Sequence, residues 1–339
     1  MASVSPLRFV LKASLLWVAL SVPFVVLYLV FDPMRVLRWH DDMMPGGVVS
    51  NKGNITALQY LHNRDSIRYD SFVVGSSLSI NFLIDDWLRF LPDGAAAYHF
   101  DSSAMDLEQL ELSLKFLAEN AGVRNLMIVW DTKWDVGPSE FPVSRRALPF
   151  VTAPVIAPDG FQAAVSHWSL FSGWYSRAYL NGWVCELVGA RPKGHTIYPK
   201  YQGIHYDPVT NEETAPAKND SLAALSDSFI LAHPRLAGLK VPCLPMAPAL
   251  TPSAKQTLAR IAGVLGRMGA DYRFVVVPNR KSMIPAAADD AFLRDLFGER
   301  YVLCQPALGY LTLNPYHYFD DYHFRPEMAC KIMEYVYSK

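Results

Sequence analysis

The chain has 339 residues, long enough to bury a full core, and 51% of them are hydrophobic against 19% charged. That balance excludes disorder as the main state. The net charge of −1, with no basic block anywhere, leaves nucleic-acid binding without an electrostatic footprint.

From Ala13 to Phe31 nineteen residues run without a charge. At helical rise they span about 28 Å, close to the hydrocarbon thickness of a bilayer. Pro23 lies inside the run, as membrane helices tolerate. A cleavable signal peptide competes with this reading, but its apolar region is shorter and no Ala-x-Ala site follows Phe31. A buried soluble helix is opposed by the flanking Arg8 and Lys12. Residues 1–31 therefore read as a signal anchor that crosses a membrane once. Arg8 and Lys12 on one side are balanced by Arg35 and Arg38 on the other, so charge leaves the orientation open. The short N-terminal tail favours N-inside, with the body outside the cytoplasm. Residues 32–65 read as a tether with the first surface elements.

Phe72–Val73–Val74 is a β-branched and aromatic run ending in Gly75, Ser76 and Ser77. A parallel strand delivers a nucleophile in this way, since only small residues fit a sharp turn at its carboxyl end. An ordinary strand closed by a Gly-Ser turn has the same pattern. A short helix is expected to begin at Ile80–Leu83, and a second strand at Ala95–Phe100. Asp106–Asn120 reads as an amphipathic helix through Leu107, Leu110, Leu114 and Leu117, and Asn125–Trp130 as a third strand. This alternation predicts an α/β fold: a mostly parallel sheet with helices on both faces, its first part over residues 66–137.

Residues 138–225 break the rhythm and read as an inserted cap or loop region. Within them Trp168, Phe171, Tyr175 and Tyr179 recur at helical spacing, with Trp174 and Trp183 nearby. Packing of that aromatic face on the body or on the membrane surface is favoured over stacking on sugar rings. Arg191–Asn219 reads as loop. The second part of the domain, 226–339, resumes with a helix opened by Thr251–Pro252 and ended by Gly269. Phe274–Val277 is the fourth strand, Tyr301–Leu303 the fifth, and Pro326 opens the last helix. Cys185, Cys243, Cys304 and Cys330 form no Cys-x-x-Cys pair, so a zinc site is not expected; no other metal and no cofactor is expected either. Free thiols are favoured over disulfides, because a core of this size needs no staples.

Near the end stands Tyr318–Phe319–Asp320–Asp321–Tyr322–His323–Phe324–Arg325–Pro326. An Asp and a His three apart can share a turn, the carboxylate orienting the imidazole. Gly75–Ser76–Ser77–Leu78–Ser79 early and Asp320-x-x-His323 late resemble the blocks of the SGNH (GDSL-type) hydrolase superfamily, with Ser76 where its Asp usually stands. The resemblance covers about residue 66 to the end, interrupted by the insert. It implies a three-layer αβα sandwich of flavodoxin-like type. It also implies a triad of Ser77, Asp320 and His323, with Asp321 as the rival orienter. The oxyanion hole would use the backbone N–H of Ser77 and, in the second block, Ser103. The third block departs from the pattern: where the family has an Asn donor the chain reads Trp130–Asp131–Thr132–Lys133, so Thr132 or Lys133 would complete the hole, or turnover would be slow or absent.

A membrane anchor with these blocks resembles the acyl-transfer proteins of cell envelopes, among them the alginate O-acetylation proteins and the D-alanyl transfer protein of teichoic acid. The resemblance implies an O-acyl group, acetyl being the expected one, moved on or off an extracytoplasmic glycan. The partners would be an acyl donor, a carbohydrate acceptor and a membrane-bound acyl-transfer protein. The alternative is an inactive scaffold of the same fold that binds glycan or partner proteins in an envelope polysaccharide complex. A lipid esterase is a third reading, suggested by the anchor alone.

Overall fold

The computed structural model describes residues 6–41, 43, 51–132, 152–175, 184–185, 188–189, 205–236 and 239–338. Lys133, Tyr179, Trp183 and residues 191–204 of the expected loop lie outside the described residues. The chain is α/β. Strands β1 (Ser71–Gly75), β2 (Ala97–Asp101), β3 (Asn125–Trp130), β4 (Asp271–Val276) and β5 (Tyr301–Leu303) form one sheet in the order β2-β1-β3-β4-β5. Every neighbouring pair is parallel. β1 lies second from the edge, flanked by β2 at Gly75↔Asp101 and by β3 at Gly75↔Val129. The strand order reverses between β1 and β3, and the crevice at the carboxyl ends of two such strands is where open α/β sheets place their ligands.

Alternate strand residues build two cores, as a two-residue period dictates. Phe72, Val74, Ile128 and Phe274 face helices α2 (Lys52–Ile67), α4 (Leu107–Asn120), α7 (Pro252–Met268) and α8 (Ala287–Phe297). Val73, Met127, Val129 and Val275 face α3 (Ile84–Leu88) and α9 (Pro326–Tyr337). Both groups are fully buried, and each such side chain contributes about 1.5–3 kcal/mol relative to exposure. The helix ends follow local chemistry. Asp106 accepts from Gln109 N–H (2.8 Å) to open α4. Thr251 accepts from Ala254 N–H (3.1 Å) ahead of Pro252 to open α7, and Gly269, at φ 67°, closes it.

Three stretches differ from the sequence reading. The segment taken as a tether carries α2, whose Ala57 and Tyr60 enter the core. It hid because its buried face also holds Lys52, Asn54, Thr56 and Gln59, which erase the apolar stripe. The expected loop contains a small hairpin, His205–Tyr206 with Glu213–Thr214, and α6 (Pro216–Ala232) begins inside it. Ser76–Phe82 forms turns, and α3 starts only at Ile84. Among the described residues, 152–225 supplies no strand to the five-stranded sheet.

The N-terminal helix α1 (Pro6–Phe31) is long and apolar enough to cross a membrane, and only 6% of its apolar window is buried against protein. It stops at Asp32, whose carboxylate accepts from Val36 N–H (3.0 Å) and Leu37 N–H (3.2 Å) and meets His40 Nε2 at 2.8 Å. Arg38 donates to Val30 O (2.5 Å) and covers an end carbonyl of α1. Helix α5 (Gly160–Trp174) packs on this end through Leu170 and Trp174, which share a core with Tyr28, Met34 and Val36.

Candidate active site

Gly75 sets the position of Ser77. A Cβ there would lie 2.6 Å from Val129 O and 3.0 Å from Ser79 Cβ, so β1 and β3 keep ladder spacing only around a glycine. Ser76–Ser79 then makes a tight turn in which Ser79 N–H (2.8 Å) and Ser79 Oγ (2.7 Å) both donate to Ser76 O. Ser77 occupies the second place in this turn and is half-buried.

Across the edge, His323 Nε2 lies 2.9 Å from Ser77 Oγ, although 246 residues separate the two. His323 Nδ1 lies 2.8 Å from Asp320 Oδ2 and 3.0 Å from Oδ1. The Asp320 carboxylate also accepts the backbone N–H groups of Tyr322 and His323, each at 2.8 Å. Burial pushes the Asp320 carboxyl up, but these bonds from His323 and Tyr322 outweigh it and hold the group below its ordinary pKa. With Asp320 accepting at Nδ1–H, the Nε2 lone pair points at the serine hydroxyl, the orientation a general base requires. Asp321, the rival, turns away: its carboxylate meets Arg280 at 3.1 Å and is 87% exposed.

The loop carrying Asp320 and His323 is closed by Phe319 N–H donating to His323 O (2.8 Å) and by a bridge between Tyr318 and Phe324. Phe324 packs edge-on against Phe82, just beyond the serine turn, at 5.7 Å. Behind it lies Arg325, 1% exposed. Its guanidinium donates to Tyr316 O (2.8 Å), Asn219 Oδ1 (2.9 Å) and Glu327 Oε1 (2.5 Å). The Asp320–His323 spacing by itself assigns Arg325 no role. The local signal for its burial is its place between Phe324 and the helix-opening Pro326.

Candidate oxyanion donors cluster on the same edge. Among the described residues no carbonyl accepts from the N–H of Ser77 or of Ser103. Ser103 follows Ser102, whose N–H donates to Gly75 O (3.1 Å), and precedes Ala104 at φ 47°. β3 sets Val129 beside Gly75, so Asp131 and the buried Thr132 leave the sheet just beyond the level of Ser77. No hydrogen bond joins Ser103 or Thr132 to Ser77.

One strand further out lies a buried polar cluster that the sequence did not reveal. Lys52 Nζ sits 2.5 Å from Glu213 Oε1 and 3.7 Å from Asp101 Oδ1. Asn211 donates to His99 O (2.7 Å), Thr56 Oγ1 (2.9 Å) and Asp101 Oδ1 (3.1 Å). Burial pushes the Asp101 carboxyl up to about 7, with Lys52 opposing and Glu213 adding to the rise. Burial lowers Lys52, but Asp101 and Glu213 outweigh it and keep that ammonium charged. Burial likewise pushes the His99 imidazole down to about 4, which suits a neutral ring donating from Nε2 to Phe82 O at 2.8 Å. Thr210 O accepts from His99 N–H (2.9 Å), so the hairpin of the inserted region covers the outer edge of β2. A narrow cleft beside this cluster is lined by Gly53, Asp101, Ser102, Thr152 and Ile156, and Ser77 is not among its walls.

No match to the chain was found among models of protein families, curated proteins or solved structures.

Proposed function

We propose that the protein is a membrane-anchored serine acyltransferase or esterase of SGNH type, moving an O-acyl group, acetyl by expectation, on an extracytoplasmic glycan. The observation that carries this reading is the unbroken run Ser77 Oγ–His323–Asp320, with both imidazole nitrogens engaged at 2.8–2.9 Å. A serine hydroxyl is nearly inert at neutral pH until a base of this kind is within hydrogen-bond reach. Ser77 Oγ would attack the ester carbonyl while its proton passes to His323 Nε2. The ester C–O bond then breaks, and the departing alcohol takes that proton, leaving the acyl group on Ser77. A sugar hydroxyl or water then gives a proton to His323 and attacks the acyl-serine; the acyl–Oγ bond breaks, and His323 returns that proton to Ser77 Oγ. The Ser77 and Ser103 N–H groups would hold the oxyanion.

A second reading is supported by Asp131. An ionised carboxylate repels a developing oxyanion, so a chain carrying it where the family has an Asn would suit a glycan- or protein-binding scaffold. Labelling the purified full-length protein with a fluorophosphonate separates the two. Ser77-dependent labelling, lost in Ser77→Ala and in His323→Ala, is expected for the enzyme. No labelling of a folded wild-type protein would leave the scaffold.

A further inference from the structure

We infer that Trp168–Tyr175, the C-terminal half of α5 with its capping residue, enters the lipid leaflet beside α1 as a second membrane-inserted element. This inference rests on reading α1 as a membrane span. Helix α5 contains no Asp, Glu, Lys or Arg from Gly160 to Trp174. Its contacts with α1 step in register. Phe171 meets Tyr28 edge-on at 5.2 Å, and Tyr175 meets Phe24 edge-on at 5.3 Å. Four residues forward in α5 thus correspond to four residues backward in α1, so the helices run antiparallel where they touch. The Tyr175 hydroxyl donates to Phe24 O, a contact a water-facing helix end would not make with the interior of a membrane span.

The depth follows from helical rise. Phe24 lies seven residues before Phe31, which places Tyr175 about 10 Å beneath the end of α1. That is the depth at which amphipathic segments settle in the boundary of a leaflet, about 5–10 Å. Trp168 stands three residues before Phe171, as Phe31 stands three after Tyr28, so its indole comes level with the end of the span. It is 62% exposed to solvent, and the headgroup level is where Trp is enriched. The hydroxyls of this half are already satisfied: Ser169 Oγ donates to Val165 O (2.9 Å) and Ser172 Oγ to Ser169 O (3.2 Å). The Asp32 and Arg38 turn marks where the chain leaves the apolar layer. Helix α5 is reached through Ala153–Ile156, which borders Asp101 and Ser102, so the inserted half ties the serine-bearing edge of the sheet to the membrane surface.

The test uses the full chain in nanodiscs, with a fluorescent amino acid at one position at a time and lipids carrying a nitroxide quencher at defined depth. Positions 162, 168 and 172 sample the exposed side of α5, position 20 samples α1, and position 231 samples the body. Strong quenching is expected at 172 by mid-chain nitroxide, at 168 by headgroup nitroxide, and none at 162 or 231. A probe at 169 repeats the measurement if 172 disturbs folding. No quenching at 172 and 169 with position 20 quenched would overturn the insertion and leave the anchor standing. Equal quenching at 162 and 172 would also overturn it, since the helix would then lie flat. Loss of quenching at position 20 would instead overturn the anchor itself.

Discussion

Replacing Asp320 by Asn keeps the shape of the side chain and changes one thing, the direction of the proton on His323. The Asp320 carboxylate accepts three times, from the Tyr322 and His323 amides and from the imidazole. An Asn can satisfy the two amides only with its oxygen, which turns its NH₂ toward Nδ1. His323 then carries its proton on Nε2 and offers Ser77 a donor where a base is required. In a buried triad this inversion costs about 10⁴ in rate, or about 5 kcal/mol. Here the Asp320 side chain is 52% exposed, so water can compete for Nδ1 and restore part of the productive tautomer. The expected loss is therefore smaller, about 10²–10³ in kcat for a p-nitrophenyl acyl ester. Asp320→Ala, which lets water take the vacated place without imposing a tautomer, should be no worse than Asp320→Asn. Turnover of the Asn variant within threefold of the wild type would refute the reasoning. So would an Ala variant ten times slower than the Asn variant, because that would make bulk, not proton direction, the contribution of residue 320.

The remaining expectations follow from packing and charge. Gly75→Ala sets a methyl 2.6 Å from Val129 O and should cost about 2–3 kcal/mol, read as a lower urea midpoint, together with fluorophosphonate labelling. Arg325→Met removes three donations from a buried site, and since Glu327 stays 45% exposed the cost should be about 2–3 kcal/mol. The same variant should lower kcat by letting the His323 loop drift, and Arg325→Lys should rescue part of both. For Asp101 the folded chain holds the proton more tightly than the unfolded one, its pKa being raised to about 7. The stability it contributes is present below about pH 4 and lost as pH rises through 7, so Asp101→Asn should flatten the fall of the urea midpoint between those values. An unchanged slope would refute the assignment.

Local chemistry made the strands readable. Phe72–Val74, Asn125–Trp130 and Phe274–Val276 are continuous apolar runs because both faces of a parallel sheet are covered, and that pattern needs no tertiary knowledge. The turn at Gly75 and the Asp320–His323 spacing were legible for the same reason, each being set within a few residues. What stayed hidden depends on partners far along the chain. Helix α2 buries Lys52 because Glu213 lies 2.5 Å away, and no window around residue 52 contains residue 213. Asn211 likewise holds the edge of β2 from a stretch without periodicity. The aromatic spacing of Trp168, Phe171 and Tyr175 was visible, but its partner, the C-terminal end of α1, became visible only with the rings in contact.

Asp131 is the residue on which the enzyme and scaffold readings divide. β1 and β3 leave the sheet together, with Gly75 level with Val129, so residue 131 and Ser77 stand on adjacent ends of one edge. If Ser77 attacks an ester, a carboxylate there would raise the energy of the oxyanion formed, whereas an amide could donate to it. A single donor of that kind is worth about 10²–10³ in kcat. If Asp131 occupies the place of the missing donor, Asp131→Asn should increase turnover of a p-nitrophenyl acyl ester, by tenfold or more at neutral pH. An Asn variant that is slower than the wild type would give the carboxylate a positive part in the reaction and remove the equivalence on which the scaffold reading depends. An unchanged rate would place residue 131 outside the oxyanion site, leaving that site to the amides of Ser77 and Ser103.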